Sequence, residues 1–280
     1  MFIGIDIGST TTKAVSLENG KVVKKIETKA EDAVTSAAGA LGKLILENGI
    51  RMADIQRIMI TGVGATKIEG DLFGIPTEKV SEITAIGTGG VFLSGKVGII
   101  IANIGTGTAI IEAKADGIIH LGGSGVGGGT ILGLGKKLLS LSEFKDIMAL
   151  AASGSLDPVD LLLKDIMATD LGFLNETSTA SNFGKMLDTA KSSDIALGII
   201  NMVYQVIGMI AVFAARSRGI NRILITGSGS HNPLGQKILE SITGMHGIVF
   251  EYPKDAEYTT AIGAGLYGFE NASGLKQVTC

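Results

Sequence analysis

Two stretches of this chain read alike, and their likeness restricts the fold more than any other feature. Residues 3–13 are IGIDIGSTTTK and residues 100–108 are IIANIGTGT. Each sets an apolar run before Asp or Asn, skips one residue, then gives Gly and a cluster of hydroxyls. Asp6 matches Asn103, Gly8 matches Gly105 and Thr11 matches Thr108, all at a separation of 97. The same separation carries Gly20 of ENGKVV onto Gly117 of ADGIIH. Each copy therefore predicts a strand, a Gly/Thr turn, a second strand, and a further turn marked by Asn-Gly or Asp-Gly.

A second pair repeats in the same order. RIMITGVGA at 57–65 and RILITGSGS at 222–230 are related by a shift of 165, and both are short apolar strands ending in Thr-Gly-x-Gly. Two pairs in one order predict a duplicated α/β unit. The halves are unequal: Gly8 to Gly62 spans 54 residues and Gly105 to Gly227 spans 122, an insertion of about 68. It falls between Gly123 and a long apolar segment. Its GGGTILGLGKKLLSLSEFKDIMALAAS predicts a Gly-rich turn opening a helix, and 157–167 predicts a short helix. Residues 32–47 and 258–269 also have helical periodicity. The expected fold class is α/β, two duplicated domains at 1–92 and 93–280 facing each other across a cleft, with the last helix packing back.

Composition excludes several functions. A formal charge of -3, a pI near 5.7 and no basic run argue against gripping nucleic acid. One cysteine, Cys280, supports neither a disulfide framework nor a zinc or iron–sulfur site, and points to a reducing, cytoplasmic setting. The N-terminus enters a strand pattern at once, unlike a signal peptide. Residues 195–215 are 21 residues without a charge, long enough to span a bilayer. Asn201, Tyr204 and Gln205 sit in their middle and no second span follows, so a helix buried in the core or a subunit interface is expected, without a membrane.

The Gly/Thr turns carry the chemistry. A GSTTTK turn leaves backbone N–H groups pointing into one concavity beside hydroxyls, a geometry suited to phosphate oxygens. One such turn is an ordinary hairpin as readily as a site. Two related copies, one per domain, can clasp a triphosphate between them. Asp6 at a strand end is placed to hold Mg²⁺ or to cap its own turn. Asn103 adds a neutral hydrogen-bonding partner, and Lys13 either neutralises phosphate charge or is solvated. No GxxxxGK[ST] element is present, and GGSGVGGG lacks the strand and acidic residue of a dinucleotide fingerprint.

DIGSTTTK, NIGTGT and TGSGS resemble, in order, the two phosphate hairpins and the adenosine element of the sugar kinase, heat-shock 70 and actin superfamily of ATPases. Their fold is a pair of ribonuclease-H-like (actin-like ATPase) domains around a nucleotide cleft. IANIGTGTA followed by GGSGVGGGTILGLGKKLLS, with SNFG at 181–184 and GSGSHN at 227–232, is similar to type II pantothenate kinases. The resemblance implies that Gly8, Ser9, Thr10, Thr11, Thr12, Lys13, Thr106, Gly128, Gly129, Thr130 and Ser228 contact ATP, with Mg²⁺ at Asp6. It implies that Glu82, in VSEITAIGTGG, is the catalytic base; as a bare residue Glu82 ranks no higher than Glu69 or Asp71. It places pantothenate near Gly105 and His120, where His120 stands in place of the family's Arg. That change leaves pantetheine or another small hydroxyl compound open as acceptor, and a structural histidine equally open. His231 beside the adenosine turn is expected to hold that loop. The family pairs its long apolar helix in a homodimer.

Two other readings compete. GIDIGSTTTKAV is also similar to the ATPases that activate 2-hydroxyacyl-CoA dehydratases, but those need interface cysteines that Cys280 alone does not supply. The other is a nucleotide-binding regulator without catalysis.

Overall fold

The computed structural model describes residues 1–167 and 176–274. Its first lobe begins with an antiparallel meander, β1 (Phe2–Ile7), β2 (Thr11–Glu18) and β3 (Lys21–Lys29). Asn19 and Gly20 both take positive φ, 50° and 72°, and close the second hairpin with the twist its strands need. Helix α1 (Ala33–Asn48) follows, started by Asp32, whose carboxylate accepts the Thr35 N–H at 2.8 Å, and stopped by Gly49 in the left-handed region. Its Ala37, Ala40, Leu41 and Leu44 are buried on Ile3, Ile5, Ile58 and Ile60, each buried Leu or Ile contributing about 1.5–3 kcal/mol. β4 (Arg57–Thr61) lies parallel to β1, and β5 (Thr77–Lys79) parallel to β4.

The second lobe repeats the plan. After α2 (Glu82–Ser94) come β6 (Ile99–Ile104), β7 (Thr108–Lys114) and β8 (Gly117–Ser124). The insertion holds α3 (Gly128–Leu134), α4 (Phe144–Ala151), β9 (Leu161–Leu162), α5 (Leu163–Ile166) and β10 (Thr179–Ser181). Then α6 (Ser192–Ser217), β11 (Arg222–Thr226), α7 (Pro233–His246), β12 (Val249–Glu251) and α8 (Thr259–Ser273) complete the order. The sheets run β3-β2-β1-β4-β5 and β12-β11-β6-β7-β8, the same order read from opposite ends. Registers match as well: Asp6 lies opposite Thr61, and Asn103 opposite Thr226.

Two local expectations change. The glycine-rich run opens a helix that ends early, because a π turn at 135–139 leads into Ser140 at φ 58°, and α4 starts afresh. Residues 157–167 give only the single turn α5, since β9 takes the preceding residues into a ladder with β10.

Helix α6 is apolar enough to cross a bilayer, with mean hydropathy 2.1 over its most apolar 18 residues, yet 61% of that window is buried inside the fold. Its central polar residues all have partners within the chain. Asn201 donates to Asp160 at 2.8 Å, Tyr204 to the Gly229 carbonyl at 2.6 Å, and Gln205 accepts from Asn182 at 3.1 Å. Asp160 also accepts the Phe183 N–H at 2.9 Å, so the SNFG segment is pinned onto α6.

The lobes are joined by exchanged helices. α2 packs on β6, β7 and β8, whereas α8 returns to β1, β2 and β4, and the two helices pack against each other. The division expected at 92/93 thus falls within α2. Glycines make the approach possible: a Cβ at Gly263 would stand 1.8 Å from the Ala85 carbonyl oxygen, and one at Gly89 2.0 Å from that of Thr259. Gly263→Ala must therefore push two backbones apart, and we expect a loss of about 3 kcal/mol in urea unfolding. A loss below about 1 kcal/mol would mean that the helix crossing is loose.

Candidate active site

The ends of β1, β4, β6 and β11 converge on a cavity of about 630 Å³ between the lobes. The two hairpin tips meet there. Ser9 Oγ and Thr106 Oγ1 lie 2.6 Å apart, joined across the same offset of 97 that relates the hairpins. Lys13, 5% exposed, donates from Nζ to Ser228 Oγ at 2.5 Å, which brings the third glycine turn to the same place. Among the described residues, the N–H groups of Ser9, Thr10, Thr106 and Gly107 donate to no other backbone group. All four residues line the cavity, so the two turns bring donors without a backbone acceptor together with hydroxyls and an ammonium, a set that complements a polyphosphate.

Two carboxylates share the cavity. Asp6 sits half-buried at the end of β1, where it lines the cavity; its partial loss of water, opposed by Lys13 and reinforced by Glu82, pushes its pKa up to about 7. Glu82 is the first residue of α2 and opens onto the cavity, where partial loss of solvent raises its pKa. A carboxylate whose proton affinity is raised by a cleft is better matched to accepting a proton from a reacting hydroxyl. A single carboxylate beside phosphate cradles also fits Mg²⁺, which takes one or two protein carboxylates and fills its octahedron with phosphate oxygens and water. Asp6 meets that description.

The cavity also has an apolar arm that the sequence reading did not anticipate, lined by Ile104, Ile131, Leu132, Phe144 and Tyr204. Glu27 of β3 and Glu257 line the cavity too, and His231 Nε2 lies 2.5 Å from Glu257 Oε2, which ties the third glycine turn to the residues just before α8. Ion pairs Lys25–Asp255 and Lys29–Glu143 link β3 to the second lobe.

Comparison with known proteins gives this geometry a family. The family model described as Fumble matches residues 96–234. A type II pantothenate kinase of Bacillus anthracis is 33% identical, and one of Bacillus cereus 31% identical, over 97% of this chain and 99% of each relative. The chain belongs to the type II pantothenate kinase family. A Staphylococcus aureus type II pantothenate kinase is 29% identical over 96% of this chain and all of its own. Among solved structures, the activator of the 2-hydroxyisocaproyl-CoA dehydratase from Clostridium difficile with bound ADPNP superposes with a TM-score of 0.70 at 19% identity, covering 100% of this chain and 99% of the other. Component A of the Acidaminococcus fermentans (R)-2-hydroxyglutaryl-CoA dehydratase gives 0.68 at 21% identity, over 97% and 98%. These share the fold, the duplicated ribonuclease-H-like pair.

Within this type II pantothenate kinase, most of the expected site residues line one cavity: Asp6, Gly8, Ser9, Thr10, Thr11, Lys13, Glu82, Gly105, Thr106, Gly128, Gly129 and Ser228. Three do not. Thr12 points to the opposite face of β2 from Thr11 and Lys13 and is fully buried. Thr130 turns back on its own helix start, accepting the Gly127 N–H at 3.2 Å. His120 is exposed on the edge strand β8, opposite Ile111 and outside the cavity lining. Gly128 and Gly129 line the cavity in another capacity than expected. Their N–H groups are spent on the Gly105 and Thr106 carbonyls at 2.9 Å each, and a Cβ at Gly127 would stand 2.6 Å from the Thr106 oxygen. The glycine run braces the second hairpin from below. Cys280 lies outside the described residues.

Proposed function

We propose that this chain transfers the γ-phosphoryl group of ATP to the primary hydroxyl of pantothenate, giving 4′-phosphopantothenate at the start of coenzyme A synthesis. The observation that carries the reading is the contact of Ser9 with Thr106, which joins both cradles around Asp6, Lys13 and Glu82 in a member of this family. The triphosphate lies between the N–H groups of the two turns, with Lys13 and Ser228 beside it. The adenine base takes the apolar arm against Leu132 and Phe144. Asp6 would hold Mg²⁺, which neutralises charge on the phosphate oxygens when bound.

The pantothenate hydroxyl oxygen forms a bond to the γ-phosphorus as the bond from that phosphorus to the β–γ bridging oxygen breaks. Its proton passes to Glu82, and ADP leaves. The interlobe position keeps competing water from the phosphoryl group. The reaction is placed in the cytoplasm, in keeping with a chain that has a single cysteine.

The assay is ADP release and product mass with pantothenate, pantetheine and other small alcohols as acceptors. Phosphopantothenate as the preferred product is expected. ATP turnover indifferent to every acceptor would contradict the reading and favour an activating ATPase.

We also propose a homodimer through α6. Met202, Val206, Met209, Ile210 and Phe213 recur at helical spacing on its half-exposed side, and Phe213 is 60% exposed. An isologous pairing of two such helices buries this stripe twice. Because Phe213 faces outward, Phe213→Asp is expected to leave the fold intact and yield monomer by light scattering. A dimer of unchanged stability in that variant would exclude α6 as the interface.

A further inference from the structure

The duplicated strands place one hydroxyl opposite one cleft side chain in each lobe, Thr61 opposite Asp6 and Thr226 opposite Asn103. The backbones match, yet the two pairs behave differently. Thr226, fully buried, donates its O–H to Asn103 Oδ1 at 2.9 Å. Thr61, equally buried, finds no partner for its Oγ1 among the described residues, although Asp6 stands beside it in register. In lobe one the carboxylate is thus left to the cavity. In lobe two the carboxamide is tied down by its oxygen.

The consequence is chemical. Asn103 lines the cavity and is 9% exposed. With Oδ1 held by Thr226 and packed where a Gly227 Cβ would come within 3.0 Å, its Nδ2 is the polar atom left for the cleft. An amide NH₂ is donor-only, and a transferring phosphoryl group is ringed by anionic oxygens that need donors. A second carboxylate here would instead repel the triphosphate.

We propose that Asn103 is a catalytic residue whose amide donates to the oxygens of the transferring phosphoryl group, and that Thr226 is a positioning residue that fixes which end of this amide faces them. The duplication has been divided into an acceptor side at Asp6 and a donor side at Asn103. This role rests on the phosphoryl-transfer reading above.

The mirror position supplies the control. Thr226→Val and Thr61→Val each remove one fully buried hydroxyl from equivalent strand ends. We expect Thr226→Val to lower kcat for pantothenate phosphorylation by about tenfold, with ADP affinity by calorimetry little changed. Thr226→Ser should restore the rate, and Thr61→Val should match wild type. Asn103→Asp, which keeps shape and still accepts from Thr226, should lose about a hundredfold in kcat. Equal rates in Thr226→Val and Thr61→Val, or an Asn103→Asp enzyme at wild-type kcat, would overturn the assignment while leaving the kinase reading intact. Wild-type protein that phosphorylates no acceptor would overturn both.

Discussion

Replacing Glu82 by Gln is expected to slow phosphoryl transfer to pantothenate by roughly 10²–10⁴-fold while ATP affinity stays close to wild type. Glu82 begins α2, so its backbone is fixed by a helix that packs on β6, β7 and β8, and its side chain opens onto the cavity. Gln keeps the volume and loses the ability to take a proton. The attacking hydroxyl then has no protein acceptor in the proposed mechanism. Because desolvation in the cleft raises the Glu82 pKa, the wild-type rate should fall with acid at a pH above the ordinary glutamate range, and this limb should vanish in Glu82→Gln. Single-turnover rates and calorimetry with a nonhydrolysable ATP analogue separate the two effects. Unchanged turnover would remove Glu82 from the mechanism.

Replacing Asp6 by Asn should abolish Mg²⁺-dependent transfer and, unusually for a site mutation, stabilise the free protein. Burial lifts this carboxyl from 3.8 to about 7. A raised carboxyl pKa is a cost to folding: above pH 7 both states are ionised and the folded state bears the full penalty. As pH falls below 7 the folded protein takes up its proton first and the penalty shrinks, disappearing below 3.8. The full shift corresponds to about 4 kcal/mol, and water reaching the cavity screens part of it, so we expect a gain of about 2 kcal/mol at neutral pH. Urea unfolding of both proteins from pH 4 to 8 checks this: the two curves should converge in acid and diverge towards neutrality. Asp6→Asn less stable than wild type at pH 7.5 would show that Lys13 compensates the carboxylate in full.

What the sequence made legible and what it hid have different physical origins. The hairpins were readable because a turn whose backbone faces a polyanion tolerates few residues, so both copies kept Gly and hydroxyls at one spacing. Thr12 was misread as a ligand because a run of three threonines gives no sign of which face each takes; strand alternation sends Thr12 inward. His120 drew notice by standing for an arginine, but an edge-strand position outside the cavity decides its surroundings. Gly128 and Gly129 look like part of a phosphate loop and act as a close-packed brace, a distinction that resides in the Gly105 and Thr106 carbonyls that accept their N–H groups.

One repeat was in plain view. Thr84-Ala85-Ile86-Gly87 and Thr260-Ala261-Ile262-Gly263 are identical, and they are the exchanged helices α2 and α8 at their crossing. Helices are commonly read for apolar stripes, and two small-residue stripes that face each other give no such signal. The apolar arm escaped for a related reason: Leu132, Phe144 and Tyr204 come from three separate elements, and nothing local marks them as neighbours.

In the proposed mechanism one polyphosphate is held by both lobes at once. A crystal structure with Mg²⁺ and a nonhydrolysable ATP analogue tests it most directly. The β- and γ-phosphates are expected between the turns at 8–11 and 105–107, with Lys13 and Asn103 on their oxygens. A triphosphate bound by one turn alone, with Ser9 still bonded to Thr106, would contradict it.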